Sequence, residues 1–277
     1  MTSAPARLVI TFLTDFGPDG AAATCRGVML GICPDAQIVD ISHSVRKYAI
    51  ADGARLLRAS LPYMPQGVHV GVVDPGVGTE RRPIGILTNR GDVLIGPDNG
   101  LLIFGADALG GTVAARELTN RDLFLPATTS TFHGRDIFSP VAAHLAAGSA
   151  TFDSIGEEFD PTSLVRLDRR PARITHGAVE SEVAYVDSFG NLRLDADRAN
   201  LTAGFGEVAE STRVQVTVDD RPPITATFVR SFGHVAIGEP LLYVDSTGDL
   251  ALAENQGSLA ERIGVHVGMP IRIARGT

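Results

Sequence analysis

Short apolar runs and helix-spaced apolar positions alternate through the first 160 or so residues. "LVITFLTDFG" (8–17) reads as a buried strand that breaks at Thr14 and Asp15. Cys25, Val28, Met29, Ile32 and Cys33 then share one stripe at a period near 3.6, which predicts an amphipathic helix. Gly27 and Gly31 leave that helix a smooth patch where another element could approach. "AQIVDIS" (36–42) predicts a second strand, and 49–62 carries Ile50, Ala54, Leu57 and Leu61 at helical spacing. "VHVGVV" (68–73), "PIGILTN" (83–89) and "DVLIG" (92–96) predict three more strands, and a last helix runs near 137–147. This strand–helix–strand rhythm predicts an N-terminal α/β domain with a largely parallel central sheet.

The pattern changes after "DPTSLVRLDRRPARI" (160–174), a Pro- and Arg-rich stretch that reads as a linker. Beyond it the period is two. "EVAYVDSFGNLRLDA", "RVQVTVDDRPPITATFV" and "PLLYVDSTGDLALAE" each read as strand, turn, strand. The expected organisation is an α/β domain over 1–165 and a smaller all-β domain, a barrel or sandwich, over 175–277. The stretch 198–212 reads as a loop or short helix with no assignable role.

A chain of 277 residues suits two cores of this kind. Its 44% hydrophobic and 20% charged residues place it among ordinary soluble proteins. A net charge of -8 without a basic run argues against a nucleic-acid partner. "LVITFL" is too short for a membrane span, and no leader is visible, so a cytoplasmic location is expected. Cys25 and Cys33 lie more than a helical turn apart outside any CxxC motif, which predicts buried free thiols.

Three polar clusters interrupt the apolar strands: "TDFG" with Asp15, "DPGVGTER" with Asp74 and Arg81, and "TFHGRD" (131–136) with Phe132, His133 and Gly134. Asp74 sits at the mouth of a buried strand, before Pro75, Gly76 and Gly78. That spelling fits a strand-ending turn, or a site at the carboxyl end of the strand, where open α/β sheets place their ligands. Asp15 suits a ribose diol or an Asx turn, and His133 a site or a satisfied structural histidine. "GPDNGLL" (96–102) suits a turn or an active-site loop; "DSFGN" and "DSTGD" are first of all hairpin turns. No phosphate-loop, dinucleotide, nucleophile-elbow or zinc motif is spelled.

In order along the chain, "TDFG", "ICPDAQIVDISH", "VVDPGVGTER", "GPDNG", "TFHGRDIF", "DSFGN" and "DSTGDLALAENQGS" closely resemble the S-adenosylmethionine (SAM) hydroxide adenosyltransferase family, related to fluorinase and chlorinase. The resemblance implies cleavage of SAM at C5′ by water or hydroxide to adenosine and L-methionine, with no cofactor beyond that substrate. It implies an α/β domain followed by a β-barrel, and a homotrimer with active sites at subunit interfaces. The catalytic set it implies is Asp74, Arg81 and His133. Asp15 matches the ribose position; Asp19, Asp187 and Ser246 match positions around the methionine moiety. Phe189, Asn191 and Asn255 match positions around adenine, Tyr48 an aromatic pocket position, and Phe132 and Gly134 belong with the substrate-binding residues. Two departures stand out. Thr247 follows Ser246 where the family commonly has arginine, and the loop from Pro18 to Cys25 is one residue short. The fluorinase relatives carry an uncharged tyrosine where this chain has Asp74, and a fixed anion about 4 Å from a halide costs roughly 4 kcal/mol at an effective dielectric of 20. Asp74 therefore favours water. The rival expectations are a SAM-dependent halogenase and a non-catalytic SAM- or adenosine-binding module.

Overall fold

The computed structural model describes residues 8–126, 129–168, 170–175 and 177–276. The chain forms two compact units, Met1–Leu167 and Asp168–Thr277.

In the first unit the apolar runs become β1 (Val9–Thr14), β2 (Gln37–Ser42), β3 (Val68–Val72), β4 (Pro83–Thr88) and β5 (Val93–Pro97). β6 (Thr112–Glu117) and β7 (Glu158–Phe159) complete a seven-stranded sheet in the order β2-β1-β3-β5-β4-β6-β7. β2, β1, β3 and β5 are parallel; β4, β6 and β7 extend the sheet antiparallel. Strand alternation divides the apolar residues between two faces. Ile10, Phe12, Val70 and Val72 pack with Cys25 and Met29 of α1 (Ala21–Ile32). Leu13 and Val73 pack on the other face with Leu57 and Leu61, at and just beyond α2 (Ile50–Ser60), and with Ile103 of α3 (Ile103–Ala108). Both cysteines are buried free thiols, and burial pushes the Cys25 thiol up to about 11.

The expected last helix, α4 (Ser139–Ala146), is preceded by a wider π turn over Gly134–Phe138. Pro140 removes an amide donor at the start of α4, which a helix tolerates in its first turn. The stretch read as a linker is packed at its start. Leu164 is buried, and the Val165 N–H donates to Asp98 Oδ1 at 2.9 Å.

The second unit is a closed barrel. β9 (Ala178–Val186), β10 (Leu192–Asp197), β11 (Arg213–Val218), β12 (Ile224–Phe228), β13 (Pro240–Val244), β14 (Asp249–Glu254) and β15 (Pro270–Arg275) follow β8 (Arg173–Thr175). The order β10-β14-β13-β12-β11-β15-β9 closes through β9–β10, and β8 flanks β9. The period-two pattern follows from this closure, because alternate residues such as Val214, Val216, Leu250 and Leu252 fill the interior. "DSFGN" and "DSTGD" join antiparallel neighbours, as hairpins must. The unassigned 198–212 stretch opens as α5 (Arg198–Phe205), whose start is held by reciprocal bonds between Asp197 and Asn200. α6 (Leu259–Ile263) is the remaining α-helix of this unit among the described residues. No described helix is long and apolar enough to cross a membrane.

Candidate active site

Two neighbouring parallel strands set the geometry. Thr14 of β1 lies opposite Val72 of β3, so Asp15 and Asp74 emerge beyond the same end of the sheet. Together with Phe16, Tyr48, Val77, Thr131, Phe132, His133 and Gly134 they line a cleft of about 90 Å³.

The turn after Asp74 is built from its own residues. The Thr79 hydroxyl and N–H both donate to the Gly76 carbonyl, at 2.7 and 3.1 Å. Gly78 has φ +78°, and a Cβ there would lie 2.4 Å from the Ser130 carbonyl oxygen. Only glycine permits this backbone and this approach to the loop that carries His133. The turn returns Arg81 to Asp74. Its Nε donates to both carboxylate oxygens, at 3.0 and 3.1 Å, and Nη2 closes a second contact to Oδ2. The two side chains are only 9% and 5% exposed, so the pair is shielded from water and salt.

Nη2 of Arg81 also donates to His133 Nδ1 at 3.0 Å. A guanidinium has no acceptor, so Nδ1 must be bare and the neutral ring carries its proton on Nε2. Burial pushes His133 below the ordinary histidine value of 6.5, the neighbouring Arg81 adds to that, and Asp74 and Asp136 oppose it. Nη1 of Arg81 is buried without a protein partner among the described residues. A buried, unsatisfied cationic donor is costly, and a ligand oxygen would satisfy it.

Several residues that the motifs left in the background hold this set. Asn99, within "GPDNG", donates from Nδ2 to the Val73 carbonyl at 2.9 Å and so braces the residue before Asp74. Buried Asp136 accepts from the Thr129 N–H and hydroxyl at 2.7 and 2.8 Å and from Arg135 Nε at 2.6 Å. Burial alone would raise its carboxyl; the bonds from Arg135 and Thr129 hold it below the usual range. Phe16 meets Phe132 edge-on at 5.7 Å, and a Cβ on Gly134 would come within 3.0 Å of the Phe16 ring. Phe16, Asn99 and Asp136 all lie within motifs already quoted; Asn99 acts through a contact 26 residues away that no spacing announces, and Asp136 through bonds to nearby Arg135 and Thr129.

Asp15 accepts from the Tyr48 N–H at 2.9 Å through Oδ2. Tyr48 holds a left-handed φ of +66° and is 70% exposed, so its ring is presented to solvent at the cleft. Asp19 sits on an exposed turn and is not part of the cleft lining.

In the second unit Asp187, Phe189, Asn191 and Asn255 line one larger cleft of about 960 Å³, with Phe232 and Tyr243. Asp187 builds its own turn. Oδ1 accepts from the Phe189 and Asn191 N–H groups at 2.9 and 3.0 Å, and Oδ2 from Asn191 Nδ2 at 2.9 Å. Phe189 stands 75% exposed, while Asn255 is anchored by Nδ2 to the Val235 carbonyl at 2.8 Å. Ser246 is exposed and outside the lining. Thr247 spends its hydroxyl within the hairpin, at 2.7 Å from Asp245 Oδ1 and 3.2 Å from Asp249 Oδ2. Tyr243 alternates with buried Leu242 along β13; Phe232 has no local signal at all. Among the described residues no group of three or more His, Cys, Asp or Glu side chains could hold a metal ion.

Residues 10–156 match the SAM hydroxide adenosyltransferase N-terminal domain, and residues 181–272 match the corresponding C-terminal domain. The chain is 43% identical over 268 residues to an (R)-S-adenosyl-L-methionine hydrolase of Salinispora tropica, covering 96% of this chain and 98% of that protein. A fluorinase of Actinopolyspora mzabensis is 29% identical over 303 residues, covering 99% and 100%. Among solved structures, an uncharacterized conserved protein from Thermotoga maritima superposes with a TM-score of 0.88 at 36% identity, covering 96% of this chain and all of that one.

Proposed function

The chain belongs to the SAM hydroxide adenosyltransferase family, and from that premise we propose how its residues carry out the hydrolysis of SAM to adenosine and L-methionine. The oxygen of a water molecule forms a bond to C5′ while the C5′–S bond breaks, its electron pair going to sulfur. The sulfonium leaves as a neutral thioether, so the leaving group needs no acid. The nucleophile is the difficulty, because water with a pKa of about 15.7 supplies almost no hydroxide at neutral pH.

The observation that carries this reading is the shielded Asp74–Arg81–His133 set, with one Arg81 nitrogen left unpartnered. Arg81 Nη1 and the Nε2–H of neutral His133 are donors that stabilise hydroxide character on the water oxygen. Asp74 orients the water and accepts its proton. The transfer comes late, once bonding to carbon has made the oxygen acidic, so a paired carboxylate is base enough. The proton then passes to solvent. Asp15 takes the ribose hydroxyls. Tyr48, Phe132 and Gly134 bound the space around the sugar, and Phe189, Asn191 and Asn255 take the adenine. Asp19, Asp187 and Ser246 belong to the methionine end in this reading. Asp187 and Thr247 are already bonded within their own turns, so the methionine carboxylate is recognised differently here from relatives with arginine at that position.

Arg81 neutralises Asp74, which modifies the argument against halide. Exclusion no longer rests on a lone negative charge. It rests on hydrogen bonding: water donates to the carboxylate, whereas a halide has no hydrogen to give and leaves that contact repulsive. The proposal includes a homotrimer in which the N-terminal cleft of one copy is completed by the C-terminal cleft of another, and a cytoplasmic setting, which the two free thiols fit.

The test is turnover of SAM in water enriched in oxygen-18, with and without excess chloride, read by mass spectrometry. Labelled adenosine and methionine, formed at a rate indifferent to chloride, are expected. A 5′-chloro product would transfer the assignment to halogenation, and bound SAM without product to a binding module.

A further inference from the structure

We propose that His43 is a positioning residue of the substrate cleft: it holds the Thr14–Gly17 turn so that the Asp15 carboxylate faces the substrate. This rests on the SAM hydrolase reading above. His43 follows β2 and is not part of the cleft lining. Its ring reaches across to β1, where Nδ1 lies 2.9 Å from the hydroxyl of Thr14, 29 residues earlier. The same hydroxyl accepts from the Phe16 N–H at 3.2 Å. A threonine hydroxyl can accept from the Phe16 N–H and still share a second hydrogen bond with Nδ1, so one oxygen links the His43 ring to the turn. Nε2 lies 3.2 Å from Asp40 Oδ1 without the alignment of a hydrogen bond, so that contact is electrostatic. Arg26 Nη1 holds the other Asp40 oxygen at 2.6 Å.

The backbone of the same segment bonds the turn on both sides of Asp15. The Gly17 N–H donates to the His43 carbonyl at 2.7 Å, and the Val45 N–H donates to the Thr14 carbonyl at 3.4 Å. The His43 ring also packs against Phe12, with centroids 5.0 Å apart. Thr14 before Asp15 and Phe16 and Gly17 after it are thus tied to His43 and its neighbours. Among the described residues, Asp15 itself bonds only further along, to the Tyr48 N–H. The direction of its carboxylate is therefore set by contacts from residues 43–48, the His43 side chain among them, and not by turn residues alone. A carboxylate that receives two hydroxyls tolerates little displacement, so loosening Thr14 weakens substrate binding before it slows chemistry.

The experiment compares wild-type protein with His43→Leu, His43→Gln, His43→Asn and Thr14→Val in SAM turnover and in adenosine binding by calorimetry. Asparagine keeps a polar atom near the place of Nδ1, whereas glutamine reaches toward Asp40 and misses Thr14. His43→Leu, His43→Gln and Thr14→Val are expected to raise KM for SAM and Kd for adenosine about tenfold while kcat stays within about threefold. His43→Asn is expected to restore wild-type values. Unchanged KM in His43→Leu, or an Asn variant no better than Leu, overturns the positioning role. So does a loss in kcat as large as the rise in KM, because that marks general damage to the fold. A wild-type protein that neither hydrolyses SAM nor binds adenosine would instead overturn the functional reading itself.

Discussion

At Asp74 the interesting charge is the one that cancels. A buried carboxylate alone would be costly, and Arg81 repays that cost by forking onto it. The same guanidinium then fixes the tautomer of His133, so one residue sets both the acceptor and the donor of the site. Asp74→Ala and His133→Ala are each expected to lower kcat about a hundredfold or more, with smaller effects on SAM binding, as steady-state and binding measurements will show. Full turnover in either variant removes the assigned chemistry. The pH profile follows from the same contact. Burial disfavours the charged ring, so His133 stays neutral at pH 7 and takes a proton only below its ordinary value of 6.5. Protonation puts two cations in contact and removes the acceptor for Arg81. An acid limb in kcat/KM is therefore expected below pH 6.5, with a plateau above it, and His133→Asn should lose that limb.

At the scale of elements, the site depends on how closely two loops approach. The turn of residues 74–81 and the loop before Gly134–Phe138 meet where Gly78 faces the Ser130 carbonyl. Gly111 offers a control, since its φ is +92° but a Cβ there would meet nothing within 4 Å. Gly111→Ala is expected to cost about 1–2 kcal/mol of stability from backbone strain alone, with activity kept. Gly78→Ala adds a backbone clash and should also lower kcat at least tenfold, because Arg81 is carried away from His133. Thermal melts and rates on the two variants separate strain from misplacement; equal behaviour would mean that the loop contact is incidental.

At the scale of the whole molecule, each unit has its own core and its own cleft. A fragment of residues 1–165 keeps the two cores on either face of its sheet and is expected to fold yet hydrolyse no SAM, since the proposal assigns adenine and methionine contacts to the barrel unit. Turnover by that fragment, followed by adenosine release, would end the claim. Much of this organisation was legible beforehand because it is periodic. Ile10, Phe12, Val70 and Leu57 declare strand and helix by their spacing, and Val214 and Val216 declare the barrel. β6 and β15 are not among the expected strands: β6 buries only Ala115 and so carries little pattern, whereas β15 does alternate, with Ile271 and Ile273 buried on either side of Arg272. The motif residues Asp74, Arg81 and His133 could be singled out because they interrupt apolar runs. Their bonding could not, since hydrogen bonds between residues 52 positions apart leave no periodic trace. Element types and the fold class of each part can be read from the residues alone, because burial follows local periodicity. Folding in three dimensions sets the rest: Arg81 forks onto Asp74, Nδ1 of His133 accepts from Arg81, and Asp187 and Thr247 serve their own turns, because those outcomes depend on which polar groups come within hydrogen-bond reach of one another.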